Sequence, residues 1–435
     1  MLAAVHLPKS QFDPRDPLGE LRALALTAGA TTVGELTQNL VRPVAGTYIG
    51  SGKLNELHDM CEALDAGVVI FDHELSPRQI ANIEKIIERK VLDRSELILD
   101  IFANRAKTHA AKLQVEIAQL EYTYPRLRAM WDHLERIVGS GGIGGVGTRG
   151  PGEQQLEIDR RIVQRKLSQL RRELGEIEDR KTREVRDRNT DYFTVGLVGY
   201  TNAGKSTLFN TLTEGGAHAN DQLFATLMTR TREWNLAKGH MVMLSDTVGF
   251  VRDLPHKLVA SFKATLEEAT HADILLIVLD VSDPSAELHY ETVTQTLDDL
   301  EASAKKMHEK AGETYTSPER VLLLNKAELL HDPSQLLIWQ QRVEGAIPFS
   351  SIKVDGQGHK ELIEHVLLAS KGEIHTRDIT LPLSQSKAVT IIEHQTEVLD
   401  RSYEGQQVTF RTRIGDRQLD RLRSMGAQID VGVVS

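Results

Sequence analysis

Residues 199–206 read Gly-Tyr-Thr-Asn-Ala-Gly-Lys-Ser, immediately after the apolar stretch Phe193-Thr-Val-Gly-Leu-Val198 and immediately before Thr207-Leu-Phe-Asn210. A buried strand, a glycine-rich loop and a helix start in that order predict an α/β fold with a mostly parallel sheet and helices on both faces. The spacing follows from phosphate chemistry. Gly199, Tyr200, Thr201 and Asn202 open the loop, and Ala203 and Gly204 close it, so that successive backbone N–H groups can turn toward an anion. Lys205 can then reach β and γ oxygens, the Ser206 hydroxyl can ligate Mg²⁺, and Thr207 continues a helix whose positive end faces the anion. These nine residues are candidate contacts to a nucleoside triphosphate.

Two later strand ends supply what such a site needs. Met241-Val-Met-Leu-Ser245 leads into Asp246-Thr247-Val248-Gly249. Asp246 is expected to hold Mg²⁺ through water, and Gly249 can bring its N–H against a γ-phosphate with no side chain in the way. Val321-Leu-Leu-Leu324 leads into Asn325-Lys326-Ala327-Glu328, where base recognition belongs in GTPase-type folds. The fourth place is usually Asp; Glu328 keeps the carboxylate that accepts from guanine N1–H and its amine but adds a methylene. Ser350-Ser351, after Ile347-Pro-Phe349, fits the last base-facing motif. In the hydroxyl-rich stretch Leu223–Thr231, Thr226 is the expected Mg²⁺-ligating switch threonine, with Thr229 in reserve. Lys205, Thr226 and Gly249 are the expected catalytic residues, Ser206, Thr226 and Asp246 the expected metal ligands, and GTP or GDP with Mg²⁺ the expected cofactors. Phe250 stands where many GTPases carry a water-orienting glutamine, so intrinsic hydrolysis should be slow.

At 435 residues the chain is too long for one core. We expect an N-terminal α/β domain over 1–103, an antiparallel helical hairpin over 104–190, the phosphate-loop domain over 191–372 and a small α+β domain over 373–435. In the first, helical patterns alternate with short apolar runs such as Gly67–Asp72 and Leu97–Phe102. Gly50-Ser-Gly-Lys53 lacks a first glycine at the required spacing and reads as a turn. Lys371–Asp378 reads as a linker, and Gln407–Arg413 as a strand of the tail. A lone Cys61 excludes an intrachain disulfide, the densest apolar run, Ile274–Leu279, is far too short to span a bilayer, and the N-terminus lacks a leader pattern. The expectation is a cytoplasmic monomer without a membrane span.

The hairpin carries the most regular pattern. Leu113, Ile117, Leu120, Tyr124, Leu127, Trp131, Leu134 and Val138 alternate spacings of four and three, with Pro125 expected to kink or break the helix. Leu156, Val163, Leu167, Leu170, Leu174 and Ile177 form a second seam, interrupted at Arg160. Between the seams, Gly139–Gly152 holds eight glycines and Arg149, far longer than a two-helix turn needs. Such a tip can press its backbone against RNA phosphates. The net charge is −10, yet residues 104–190 hold 18 Lys and Arg against 13 Asp and Glu, a local +5 that leaves −15 elsewhere.

With these motifs the chain resembles the HflX family of ribosome-associated GTPases. The resemblance rests on Tyr48–Lys53, Phe71–Pro77, Leu92–Arg94, the tip from Gly139 to Glu153, Phe224–Leu227 and Asp246–Phe250. It implies a GTP-bound form that engages the large ribosomal subunit and its RNA through the hairpin tip near the peptidyl-transferase centre, and that splits stalled ribosomes under stress. Glu328, Met228–Thr231 and a polar insertion around Glu301–Glu319 depart from the family pattern. Two other readings fit the residues: a nucleotide-stabilised RNA-binding or ribosome-assembly module with little turnover, and an ATP-using RNA-remodelling enzyme.

Overall fold

The computed structural model describes residues 1–8, 12–139, 158, 160–177, 180, 192–213, 230–236, 240–247, 249–252, 270–312, 315–330, 332–352, 356–424 and 426–433. The chain divides into two units. One comprises Met1–Asp179, Asp221–Leu227 and Val251–Ala264; the other comprises Arg180–Asn220, Met228–Phe250 and Thr265–Ser435.

The first unit begins with a parallel sheet in the order β2-β1-β3-β4, from β1 (Leu2–His6), β2 (Glu35–Asn39), β3 (Val68–Phe71) and β4 (Lys90–Asp93). Crossover helices α1 (Gly19–Thr27), α2 (Ser51–Ala63) and α3 (Pro77–Ile87) separate the strands, and α4 (Arg94–Arg105) follows. Inner strand β1 is buried on both faces, whereas edge strand β2 alternates buried and exposed positions, as its Glu-Leu-Thr-Gln-Asn sequence requires. Local signals set the helix starts. Ser76 and Gln79 form a capping box ahead of Pro77, and the Asp93 carboxylate accepts from Glu96 N at 2.9 Å to start α4. Asp93 also accepts from Leu75 N at 3.0 Å and from the Tyr122 hydroxyl.

Three expectations change here. The run Leu97–Phe102 lies inside α4, not in a strand; the helix is buried on nearly every side, so its apolar run carries no period to separate helix from strand. Gly50 is the residue before α2, and Lys53 sits in its first turn paired with Glu56 at 2.8 Å, so this is a helix start and not a free turn. The long helix α5 (His109–Gly139) continues across Pro125 as one element. Against it lies α6, residues 160–177. Leu113 and Ile117 pack with Leu170 and Leu174, flanked by His109–Glu173 at 2.7 Å and Lys166–Glu116 at 2.5 Å, which fixes an antiparallel hairpin. Side chains from Pro125 to Gly139, the tip from Ser140 to Gly152 and Leu156 lie outside the described residues.

The second unit is built on a six-stranded sheet in the order β10-β9-β8-β5-β7-β6. Its strands are β5 (Thr194–Gly199), β6 (Arg230–Asn235), β7 (Met241–Asp246), β8 (Ile274–Asp280), β9 (Glu319–Asn325) and β10 (Ile347–Pro348). Only edge strand β6 pairs antiparallel. Helices α7 (Lys205–Leu212) and α10 (Gln357–Lys371) cover one face through Leu208, Phe209, Leu362 and Val366, against Ile274, Leu276 and Val278 of β8. The alternate residues Leu275, Ile277 and Leu279 are buried on the other face, where α8 (Ala286–Ala311) packs on β5 and β8. A helix α9 (Ser334–Arg342) joins β9 to β10. The expected insertion is partly the last turns of α8, closed by Arg320 on Glu301 at 2.7 Å.

Beyond α10, an antiparallel sheet of order β12-β13-β11-β14 combines β11 (Ile374–Pro382), β12 (Glu397–Glu404), β13 (Gln407–Gly415) and β14 (Asp430–Val433) with α11 (Ser386–Gln395) and α12 (Asp416–Ser424). Ile379, Leu381, Val408, Phe410 and Ile414 form its core with Ile392, Leu419 and Leu422. The expected linker Lys371–Asp378 shrinks to Gly372 and Glu373, because Ile374–Asp378 pairs with β13. His375, Arg377 and Asp378 hid the strand by keeping its first half polar. No helix among the described residues is long and apolar enough to cross a membrane.

Candidate nucleotide-binding site

The loop expected from the sequence lies at the C-terminal end of β5, where the chain turns to β7 on one side and β8 on the other. That is the crevice position of an open parallel sheet. Both glycines are required by geometry. Gly199 has φ +151°, and a Cβ there would lie 2.3 Å from Val278 O; Gly204 has φ +99°, and a Cβ would lie 2.3 Å from Asn325 Nδ2. Asn202 is also left-handed, with φ 62°.

Lys205 opens α7 with its side chain folded over the loop, its Nζ donating to Gly199 O at 3.0 Å and Tyr200 O at 2.6 Å. Burial pushes its ammonium down to about 8, and the Asp246 carboxylate pulls the other way. An ammonium buried against the carbonyls of Gly199 and Tyr200 is poised to move onto phosphate oxygens. Beside it, Ser206 Oγ donates to Asp246 Oδ2 at 3.0 Å, and Asp246 is fully buried. A hydroxyl and a carboxylate in contact are the hard-oxygen donors that Mg²⁺ takes. Thr247 Oγ1 donates to Leu197 O at 2.6 Å, which fixes the start of the next segment against β5. Thr207 follows within α7.

At Gly249 a Cβ would sit 2.9 Å from Thr201 Cγ2 and 3.0 Å from Lys205 Nζ, so glycine alone fits this close to the loop. Phe250 N donates to Gly199 O at 3.0 Å and Phe250 O accepts from Thr201 N at 2.7 Å, while the ring is buried. Thr226, its reserve Thr229 and Val248 lie outside the described residues.

The end of β9, where the sequence leads one to expect base recognition, reaches the same place. Asn325 Nδ2 donates to Ala203 O at 2.7 Å, and its Oδ1 accepts from Ser351 N at 3.0 Å and Ser351 Oγ at 2.8 Å. Three sequence-distant motifs are thereby wired together. Lys326, left-handed with φ 60°, pairs with Asp280 Oδ2 at 2.6 Å. Among the described residues, Glu328 Oε2 and Ser350 Oγ are buried atoms without a hydrogen-bond partner. An orphaned carboxylate oxygen beside Asn325-Lys326 fits the N1–H and amine donors of guanine.

Some of the site escaped sequence reading. Asp280 ends an apolar strand, and its Oδ1 accepts from Ser282 N at 3.0 Å and Ser282 Oγ at 2.6 Å while Oδ2 holds Lys326. Its place at a parallel strand end was the available signal. The Tyr200 ring stacks on His289 of α8 at 3.8 Å between centroids, and Thr211 Oγ1 donates to Ser351 O at 2.8 Å; nothing in the local sequence announced either contact.

Comparison with known proteins fits this geometry. Residues 15–103 match a family model described as GTP-binding GTPase N-terminal, 105–188 match GTP-binding GTPase Middle Region, and 194–326 match 50S ribosome-binding GTPase. The chain is 40% identical to GTPase HflX of Alkalihalophilus pseudofirmus, covering 90% of this chain and 92% of that one. It is 38% identical to GTPase HflX of Escherichia coli, covering 88% and 86%. Over 66% of its length it is 46% identical to GTPase HflX of Lacrimispora saccharolytica, covering 67% of that chain.

Proposed function

Because the chain belongs to the HflX family of GTPases, we propose that it is a GTP-controlled factor that binds the large ribosomal subunit in its triphosphate form and splits stalled ribosomes under stress. It acts as a monomer in the cytoplasm. Residues Gly199–Thr207 wrap the phosphates, and Lys205 leaves the carbonyls of Gly199 and Tyr200 to neutralise β and γ oxygens. Gly249 donates its N–H to the γ-phosphate. Asn325 ties the base pocket to the loop, Lys326 and Ser351 line that pocket, Ser350 turns its orphaned hydroxyl toward the base edge, and Glu328 accepts from guanine. Ser206, Thr226 and Asp246 would hold Mg²⁺, which would supply positive charge to neutralise the phosphate oxygens. Thr247, held on Leu197 O, sets the path out of Asp246.

Hydrolysis transfers the γ-phosphoryl group to water, breaking the bond to the β-bridging oxygen and releasing GDP and inorganic phosphate. The chain's own contribution is positioning and charge. Phe250 offers no polar side-chain atom to orient the water, and its ring is buried. Turnover is therefore slow until the ribosome supplies or orders a water-positioning group. The hairpin supports the ribosome assignment: its segment carries the local charge of +5, against −10 for the whole chain, and holds the glycine-rich stretch 139–152. The match of 194–326 to a 50S ribosome-binding GTPase model carries the reading furthest.

The test is steady-state hydrolysis of GTP and of ATP, with and without purified large subunits. The reading expects large subunits to raise the kcat for GTP at least tenfold and ATP to turn over poorly. Equal turnover of both nucleotides would favour the ATP-using alternative, and GTP turnover indifferent to ribosomes would favour the passive RNA-binding one.

A further inference from the structure

Gly199–Ser206 and Asp246–Gly249 carry three aliphatic hydroxyls, and two of them are engaged inside the protein. Ser206 Oγ donates to Asp246 Oδ2 at 3.0 Å, and Thr247 Oγ1 donates to Leu197 O at 2.6 Å. The third, Thr201 Oγ1, is buried without a hydrogen-bond partner among the described residues, on a residue only 7% exposed. A hydroxyl buried to that depth is normally bonded. The backbone beneath it is fixed, because Thr201 N donates to Phe250 O at 2.7 Å.

Thr201 faces Gly249. A Cβ placed on Gly249 would lie 2.9 Å from Thr201 Cγ2, 3.0 Å from Thr201 Cα and 3.0 Å from Lys205 Nζ. The Thr201 hydroxyl branches from the same carbon as that methyl group, so Gly249, Lys205 and this hydroxyl converge on one small region. The Gly249 N–H and the Lys205 ammonium are donors only. Phe250 has an apolar ring, and its N–H and carbonyl are already taken by Gly199 O and Thr201 N. A water that attacks phosphorus needs an acceptor for one of its hydrogens, and a hydroxyl can accept there while donating elsewhere.

We propose that Thr201 is the catalytic residue that orients the attacking water, a role that rests on the GTPase reading of this site. Its Oγ1 accepts one hydrogen of the water while its own hydrogen points to a γ-phosphoryl oxygen. The water oxygen bonds to the γ-phosphorus as the bond to the β–γ bridging oxygen breaks. GDP leaves with that electron pair, and the proton shed by the water ends on the released phosphate. Thr201 neither gains nor loses a proton and acts by orientation. The large subunit then has only to order the segment around Gly249 against a group that the chain already carries.

Full-length protein is assayed for GTP hydrolysis in single turnovers, with and without purified large subunits, and its affinities for GDP and a non-hydrolysable GTP analogue are measured by calorimetry. The parent is compared with Thr201→Val, which keeps the shape and loses the hydroxyl, and with Thr201→Ser, which keeps the hydroxyl. Far-ultraviolet circular dichroism confirms folding, and Thr201→Ala, smaller at this crowded point, replaces the valine variant if that one misfolds. The expected result is a rate about 100-fold lower in Thr201→Val, with or without large subunits, the scale of one lost catalytic hydrogen-bond partner. Both affinities stay close to the parent's, and Thr201→Ser recovers most of the rate. An unchanged rate in Thr201→Val, a rate restored in full by large subunits, a loss confined to affinity, or a serine variant as slow as the valine one would overturn the inference. A parent that binds neither nucleotide, or binds the analogue and never hydrolyses GTP, would instead overturn the GTPase reading, and the role of Thr201 with it.

Discussion

Asn325 Nδ2 donates to Ala203 O at 2.7 Å, joining the end of β9 to the glycine-rich loop after β5, 122 residues earlier in the chain. The same side chain accepts twice from Ser351. The proposed base pocket and phosphate cradle are therefore one hydrogen-bonded unit, with the buried Asn325 amide at its centre.

Asn325→Ala should damage phosphate binding as well as base recognition. It strands Ala203 O and the Ser351 donors in a buried site, at about 1–3 kcal/mol for each group left unsatisfied. Calorimetry should show GDP affinity falling by about tenfold or more, with inorganic triphosphate binding weakened too. Loss of base discrimination with unchanged triphosphate binding would contradict the coupling.

Gly199→Ala probes the loop's backbone directly. The new Cβ would lie 2.3 Å from Val278 O, a backbone atom inside the sheet, at a φ of +151°. Strain of this kind costs about 1–3 kcal/mol before any nucleotide is added. Thermal unfolding of the nucleotide-free protein should drop by several degrees, and nucleotide affinity should fall with it.

Glu328→Gln tests the base edge. It replaces a buried acceptor oxygen that lacks a partner among the described residues with a group that can present an amide donor to guanine donors. Losing a charged hydrogen bond costs about 1.5–3 kcal/mol, so GDP should bind roughly 10- to 150-fold more weakly. Inosine diphosphate, which lacks the exocyclic amine, should lose less. An unchanged ratio of GDP to ADP affinity would show that Glu328 does not select the base.

Lys205 gives the site a pH dependence. Its ammonium, pushed by burial to about 8 from an ordinary 10.5, is charged in both folded and unfolded chains below pH 8, where the burial penalty is complete. As pH rises from 8 toward 10.5 the unfolded chain binds more protons than the folded one, so the stability of the nucleotide-free protein increases. Triphosphate binding favours the charged form and runs the other way. Above about pH 8 affinity should weaken by up to tenfold per pH unit, with proton uptake visible as a buffer-dependent binding heat. Lys205→Met should flatten both trends.

The phosphate loop, Asp246-Thr-Val-Gly249 and Asn325-Lys326 were legible because each couples a short apolar strand to residue types that one chemistry demands. The α5 seam was legible for a similar reason: Leu113 and Ile117 repeat with the helical period and meet α6. Leu97–Phe102 was not, since α4 is buried on nearly every side and its sequence loses the periodicity that marks a helix. Ile374–Asp378 read as a linker because its polar alternation belongs to a strand stabilised by its neighbours β13 and β14. The strand-end position of Asp280 was visible, but its pairing with Lys326 joins the ends of two different strands, which no local pattern encodes.

The central claim is that nucleotide state governs ribosome binding, and co-sedimentation with purified large ribosomal subunits tests it most directly. Full-length protein is compared with a non-hydrolysable GTP analogue, with GDP and with the matching ATP analogue. The account predicts that protein pellets with the subunit in the GTP analogue and stays in the supernatant in GDP or the ATP analogue. Equal pelleting in all three, or none in any, would contradict it.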